Sequence, residues 1–326
     1  MRIARSPRVI CSARRGTLGA LLVCGLLWLL ISPAHAFTPT HQLRVDGVDI
    51  EVDADDAAFP AGVDPLLAWI RRGLHSVAAY YDGYPVRSLR IQIVPQDGGG
   101  VHGGKTFGYR GAFIRVRVGR DVTDAQLMND WVLVHEMIHV ALPEIGEEHA
   151  WLAEGLAVYV EGIAREQSGN RTQQDIFAEE MRSMPRGLPQ AGDRGLDHTH
   201  SWGRTYWGGA MFCLLADVAI HRQTGNRRGL QDALRAVAKA SGGITSEWPI
   251  TRVLAVGDAV TGTTVLADLY AQMKDAPVTP DLHALWTSLG VREANGTVTL
   301  TDAAPLAAVR EAIMRPRGSK TPSSPP

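Results

Sequence analysis

Two histidines one helical turn apart, in His135-Glu136-Met137-Ile138-His139, and an acid fifteen residues further on, Glu154 in Trp151-Leu152-Ala153-Glu154-Gly155, constrain this chain more than anything else in it. Positions i and i+4 of an α-helix project from nearly the same face, so both imidazoles can reach one tetrahedral metal ion. Glu136 then sits about 100° around the helix, beside the metal, where a general base belongs. Thr123 and Gln126 have the spacing of a capping box, residues 127–142 are mainly apolar and Pro143 supplies a stop, so the pattern predicts one helix over 123–142. The five-residue motif also arises by chance, and the acid is what sharpens it. Residues 150–160 are almost wholly apolar or small, which predicts a helix buried on most sides. A lone carboxylate there is costly to desolvate, so Glu154 needs a cation: the same metal, or else an arginine such as Arg110 or Arg204. The expectation is one Zn2+ per chain on His135, His139 and Glu154.

The first residues combine five arginines with an apolar run over 18–31 and close on Ala34-His35-Ala36, the pattern of a cleaved secretory signal peptide over 1–36. The apolar stretch is short for a membrane span, so a retained anchor is the competing reading and no stable membrane insertion is expected after cleavage. The destination would be periplasmic or extracellular. Removing the leader takes five basic residues and no acid, moving the formal charge from −1 to −6, which offers nothing to nucleic acid. Two of the three cysteines, Cys11 and Cys24, leave with it. The third, Cys213, lies in an apolar run and reads as an inert core thiol. No oligomer signal is present, and a monomer is the default.

Between the ends, residues 41–52 alternate around Asp46-Gly47, a hairpin signal. Asp64 as N-cap and Pro65 at the first helical position open a helix to about residue 82. Strands follow at 89–94, 105–109 and 113–118, the last with Ile114, Val116 and Val118 on one face and Arg115 and Arg117 on the other. From 123 onward the chain reads as helical, with helices after the two zinc helices at 172–182, 206–222, 228–239, 264–274 and 282–288. Strands first and helices after make an α+β protein. The expected domains are a zincin-like catalytic domain over 37–224, sheet-rich to 120 and carrying the zinc helices over 121–224, a helical region over 225–314 and a disordered tail over 315–326.

A competing motif runs from Gly99 to Lys105 and Thr106, with the glycine spacing of a phosphate-binding loop. Such a loop opens into a helix that faces the anion, whereas Thr106 is followed by glycine and strand formers. A nucleotide site is therefore the weaker reading. The stronger is that this loop and its strand form a rim over the metal, where an extended peptide pairs by strand addition.

His135-Glu136-x-x-His139, Glu154-Gly155-x-Ala157 and Tyr206-Trp207-Gly208-Gly209 together resemble the gluzincin metallopeptidases, specifically bacterial proteins with a peptidase-MA-like domain, and more distantly the alanyl and glycyl aminopeptidases. The resemblance covers residues 105–220. It implies a zinc peptidase acting on peptide or protein substrates, with Glu136 as general base and Tyr206 supporting the oxyanion. Gly208 stands where the aminopeptidases carry a lysine, the 139–154 gap is shorter than theirs, and their Gly-x-Met-Glu-Asn segment is absent. Ile145 occupies the place of a metzincin third histidine. His198 and His200 are rival oxyanion donors, His149 reads as a solvated loop residue, and Glu161 and Asp217 are candidates to orient a metal-binding histidine. Trp151 and Tyr159 read as core. A catalytically silent zinc scaffold that binds peptides is the alternative to an enzyme.

Overall fold

The computed structural model describes residues 37–316. The signal peptide expected over 1–36 lies outside the described residues, as does the expected tail beyond 316.

Asp46 and Gly47 turn the chain through left-handed backbone (φ 48° and 84°), which joins β1 (His41–Val45) to β2 (Val48–Asp53) as an antiparallel pair. Two consecutive positive φ values match the twist of the flanking strands, which is why Asp-Gly signals a hairpin. Helix α1 (Asp64–Tyr81) crosses to β3 (Ser88–Gln96), parallel to β2. Its cap is Val63, so the helix starts one residue before the expected position. Next come β4 (Val101–Phe107) and β5 (Phe113–Gly119), paired antiparallel, with β5 parallel to β3. The sheet order β1-β2-β3-β5-β4 leaves β4 at an edge. Ile114, Val116 and Val118 are fully buried, while Arg115 and Arg117 are exposed, as the alternation predicts. Residues 99–106 run into this edge strand and not into a helix N-terminus, so the phosphate-loop reading has no structural counterpart.

The helix expected over 123–142 is two helices, α2 (Asp124–Asn129) and α3 (Val132–His139). The capping box of Thr123 and Gln126 is present. The chain leaves helical backbone at Asp130 (ψ 137°), whose carboxylate accepts from the Val132 and Leu133 amides, both at 3.1 Å, and from the Trp69 indole at 3.2 Å. A half-buried local cap thus overrides an apolar periodicity that reads as continuous.

Helix α4 (Ala150–Gln167) comes next, then α5 (Gln173–Ser183), capped by Thr172. A single turn of π-helix, Arg204–Gly208, leads into α6 (Gly209–Thr224), and α7 (Leu230–Ser241) packs back on α1. Gln231 and Arg235 both donate to the Tyr80 carbonyl at the C-terminal end of α1, at 2.7 and 2.6 Å. The chain continues through α8 (Ile250–Thr261), α9 (Val265–Met273), α10 (Leu282–Leu289), the hairpin β6 (Val291–Ala294) and β7 (Thr297–Leu300), and α11 (Ala307–Met314). Helices α8 and α11 and the last hairpin are not expected from sequence. One hydrophobic cluster extends from the sheet to these helices. No helix among the described residues is long and apolar enough to cross a membrane.

Because Asp130 starts the helix that carries His135, Glu136 and His139, Asp130→Ala is expected to destabilise the protein by about 1–2 kcal/mol. Asp130→Asn, which keeps an acceptor, should lose less. Urea midpoints of the two variants check this, and an unchanged midpoint for Asp130→Ala would show that the break is not held by its cap.

Candidate metal centre

Helix α3 presents His135 and His139 on one face, and α4 brings Glu154 to meet them. The Nε2 atoms of the two imidazoles are 3.2 Å apart, and Glu154 Oε2 is 3.1 Å from that of His135 and 3.5 Å from that of His139. Zinc–ligand bonds of 2.0–2.1 Å in tetrahedral array put ligand atoms roughly 3.3–3.4 Å apart, so the three donors fit one zinc ion. They are the potential metal cluster found among the described residues. Neither arginine weighed as a partner for Glu154 is there, since Arg204 pairs with Asp193 and Arg110 lies on an exposed turn.

The electrostatics agree with a cation site. Burial opposes charge on Glu154, yet hydrogen bonds with His135 and His139 hold its carboxyl well below the usual carboxylate range. Burial pushes the His135 imidazole down, toward the neutral form a ligand needs. His139 goes up: burial lowers it, but contact with Glu154 and the nearby Glu136 carboxylate together outweigh burial. A divalent cation can take the place of that proton.

Glu136 is buried beside these ligands. The Thr106 hydroxyl on β4 is 2.6 Å from Glu136 Oε2 and 2.9 Å from the Glu136 carbonyl oxygen, pinning the side chain against the strand. A Cβ on Gly104 would fall 2.5 Å from Glu136 Cγ, so only glycine lets β4 lie this close. The strand is thus the expected rim over the site, and its glycines and threonine serve contact with the acid. Sequence reasoning does not single out Thr106 as a site residue; its one signal is the glycine pattern that resembles a phosphate loop. Gly104, Thr106, Glu136, Glu144, Glu147 and Tyr206 are among the residues around a cleft of ≈ 520 Å³.

Tyr206 reaches the site from the π-helical turn. Its ring stacks parallel to His135 (centroids 6.1 Å, 10°) and is backed by Trp202 (5.6 Å, 22°). Burial, then contact with the Glu154 and Glu136 carboxylates, pushes its phenol up to about 12, so it is a hydrogen-bond donor at neutral pH. Its position depends on glycine: a Cβ on Gly155 would sit 2.2 Å from the Gly209 carbonyl carbon, and one on Gly209 would sit 1.9 Å from the Trp151 carbonyl oxygen. Helices α4 and α6 therefore cross backbone against backbone, next to both Glu154 and Tyr206.

Other sequence expectations fall differently. Glu161 pairs with Arg165 (2.6 Å) and Arg171 (3.3 Å), and Asp217 accepts from Tyr159 (3.0 Å) and the Leu230 amide (2.7 Å). Neither orients a histidine of the cluster, and His135 Nδ1 is buried without a hydrogen-bond partner. His198 pairs with Asp275 (2.8 Å) and His200 is exposed; neither lines the cleft. His149 is not solvated but partly buried against Asp197 (3.0 Å), which also accepts from Trp151 and Tyr270. Trp151 and Tyr159 are core residues, and Cys213 is a buried free thiol.

A second cavity, ≈ 220 Å³, adjoins the cleft on the far side of Tyr206, between α4, α5 and the π-helical turn. Glu180 of α5 lines it. Burial first, and Glu179 second, push its carboxyl up to about 8, against the opposing influence of Arg171.

No protein-family model matches the sequence, and neither does any curated protein sequence. Solved structures do match in shape. An aminopeptidase N family protein from Idiomarina loihiensis superposes with a TM-score of 0.57 at 13% identity, over 77% of this chain and 49% of its own. A two-domain M1 zinc metallopeptidase, solved as a mutant bound to L-arginine, gives 0.51 at 15% identity, over 74% of this chain and 52% of its own. The chain shares its fold with part of each of these two proteins. It spans about half the length of these two proteins.

Gly209→Ala is expected to force α4 and α6 apart, costing about 1–3 kcal/mol, as overpacking does. It should also speed the loss of zinc to a chelator; unchanged stability and unchanged zinc release together would contradict the backbone crossing. For Glu180, the folded protein holds a proton between the ordinary value of 4.5 and about 8 while the unfolded chain does not. Its contribution to stability is therefore complete below 4.5 and is lost as pH rises through about 8, by at most roughly 1.4 kcal/mol per pH unit. Urea midpoints of Glu180→Gln relative to wild type should diverge in favour of the variant from pH 5 to pH 8, and a constant difference would rule out the shift.

Proposed function

We propose that the protein is an exported zinc-dependent metallopeptidase, with His135, His139 and Glu154 as metal ligands, Glu136 as general base and Tyr206 as oxyanion donor. The observation that carries this reading is the triangle of donor atoms, with sides of 3.1, 3.2 and 3.5 Å, beside a buried acid that is not part of it. The fold shared with zinc metallopeptidases supports it, and the leader pattern of residues 1–36 supports export.

Zinc bound on these ligands would supply Lewis acidity, polarising a scissile carbonyl and acidifying water. Glu136 takes the proton of the attacking water and hands it to the departing amine. Thr106, bonded to one carboxylate oxygen, leaves the other free for that proton and holds the side chain in one rotamer. Tyr206 donates to the oxygen on which negative charge develops, a contribution of about a hundred- to a thousandfold for one such donor. The edge of β4, on the same side as Thr106, offers backbone groups to an extended peptide, which thereby lies across Glu136. The aminopeptidase segment that holds a free amine has no counterpart on β4, where Thr106 instead faces the base, so the substrate is held by its backbone and side chains and not by its terminus.

Purified protein is expected to carry about one zinc per chain and to cut a peptide library. Glu136→Gln should keep the zinc and lose at least about a hundredfold in turnover. Metal-free protein with full activity, or an active Glu136→Gln, would overturn the assignment. Zinc and peptide binding without cleavage in both forms would leave the silent scaffold in its place.

A further inference from the structure

The cavity beside Tyr206 has the construction of a side-chain pocket. Tryptophans stand at its wall: Trp131, whose indole meets the His135 ring edge-on at 5.3 Å, and Trp202, stacked on Tyr206, are 49% and 56% exposed although both are large and apolar. Exposed tryptophans rimming a concave site mark a surface awaiting a partner group. Deeper in, Trp207, Ile176 and Val158 supply apolar walls. Tyr206 borders both this cavity and the metal cleft, so a side chain seated here belongs to a residue next to the bond being cut.

The acids around the cavity, and Arg171 with them, are already matched, with one exception. Arg171 is bound by Glu161 and Glu179, Glu161 is also bound by Arg165, and Arg186 lies over the Trp202 ring. Glu180 is 7% exposed, and its Oε2 is buried with no hydrogen-bond partner. A buried carboxyl without a partner costs stability, and natural structures keep such a group where it meets something else. Tyr159 faces it from α4, Glu179 and Arg171 flank it, and no cation among the described residues binds it. Burial keeps it protonated and neutral at neutral pH, able to exchange hydrogen bonds with an O–H or N–H group and offering little to an ammonium ion.

We propose that this cavity is a specificity pocket for an aromatic side chain bearing a hydrogen-bonding group, tyrosine before phenylalanine, with Glu180 as the residue that reads the hydroxyl. This rests on the metallopeptidase reading for the cutting, but not for the binding.

The test has a binding arm and a cleavage arm. N-acetyl-tyrosinamide, N-acetyl-phenylalaninamide and N-acetyl-lysinamide are titrated into zinc-loaded protein, read by fluorescence of the rim tryptophans, and peptides differing only by these residues beside the scissile bond are compared by kcat/KM. Tyrosine is expected to lead phenylalanine by about tenfold in both, the worth of one hydrogen bond. Glu180→Met, close in shape, should bring the two within twofold without weakening phenylalanine, and Glu180→Gln should keep the preference. Equal treatment of tyrosine and phenylalanine by the wild type, a preference that survives Glu180→Met, or lysine bound best would overturn the proposal. Discrimination between the amides without any cleavage would retain the pocket and sink the peptidase, whereas cleavage indifferent to these residues would do the reverse. Because Glu180→Met removes a buried unpaired acid, it should not lower the melting temperature; a drop would assign Glu180 a structural role and overturn its role as reader.

Discussion

Gly155 and Gly209 allow α4 and α6 to touch backbone to backbone, and the candidate centre depends on that approach. Glu154 precedes the first of these glycines and Tyr206 lies one turn before the second, so closing the crossing delivers the Glu154 carboxylate and the phenol to the same place. With side chains of ordinary size between the helices, their axes would stand about 8–10 Å apart and one of the two groups would fall short. The π-helical turn at Arg204–Gly208 belongs to the same device. Its extra residue per turn re-aims Tyr206, and the Arg204 guanidinium, bonded to the Gly187 carbonyl (2.7 Å) and paired with Asp193 (2.8 Å), fixes the turn against the preceding loop.

Bringing acids into such a place is costly, and the protein offsets the cost in different ways at different positions. Glu154 is compensated by two imidazoles, Glu161 by two arginines, and Asp217 by a phenol and a backbone amide. Glu136 receives the Thr106 hydroxyl on one carboxylate oxygen. Glu180 receives no cation and keeps its proton instead. The acids with complete ion pairs or full hydrogen bonding are those that hold helices together. Glu136 at the cleft and Glu180 at the second cavity are left incompletely satisfied, and each shares its cavity with an acid that is paired, Glu154 and Glu161 respectively.

The range of the forces involved decides which features are legible in the sequence and which are hidden. The Asp46-Gly47 turn, the Thr123 and Gln126 box and the convergence of His135, His139 and Glu154 are all legible, because each depends on neighbours in the chain or on the desolvation of one residue in an apolar helix. The break at Asp130 is hidden by the apolar run on both sides, and the capping carboxylate is held in addition by Trp69, a residue 61 positions away. Helix α8 lacks a signal of its own, since Pro249 provides no side-chain cap and Gly257 interrupts it. Assigning Glu161 and Asp217 to His135 or His139 fails for the same reason: which helix face meets which partner is a tertiary fact, and Arg171 and Leu230 are among the groups that hold those carboxylates instead.

The glycine pattern at residues 99–106 shows how one composition serves two unlike constraints. A phosphate loop needs glycines because the backbone must curl around an anion and take up unusual angles. Here Gly100 and Gly103 also take positive φ (80° and 137°), but Gly104 lies within β4 and is required because a carboxylate side chain occupies the space a Cβ would fill, 2.5 Å from Glu136 Cγ. The two cases diverge in the residues after the glycines. A cradle continues into a helix dipole, while a strand against an acid continues as a strand with a hydroxyl two residues later, on the same face, to hold that acid. Thr106 stands at that offset. The sequence feature that distinguishes them is therefore the alternation downstream of the glycines, and in this chain it places the segment beside Glu136.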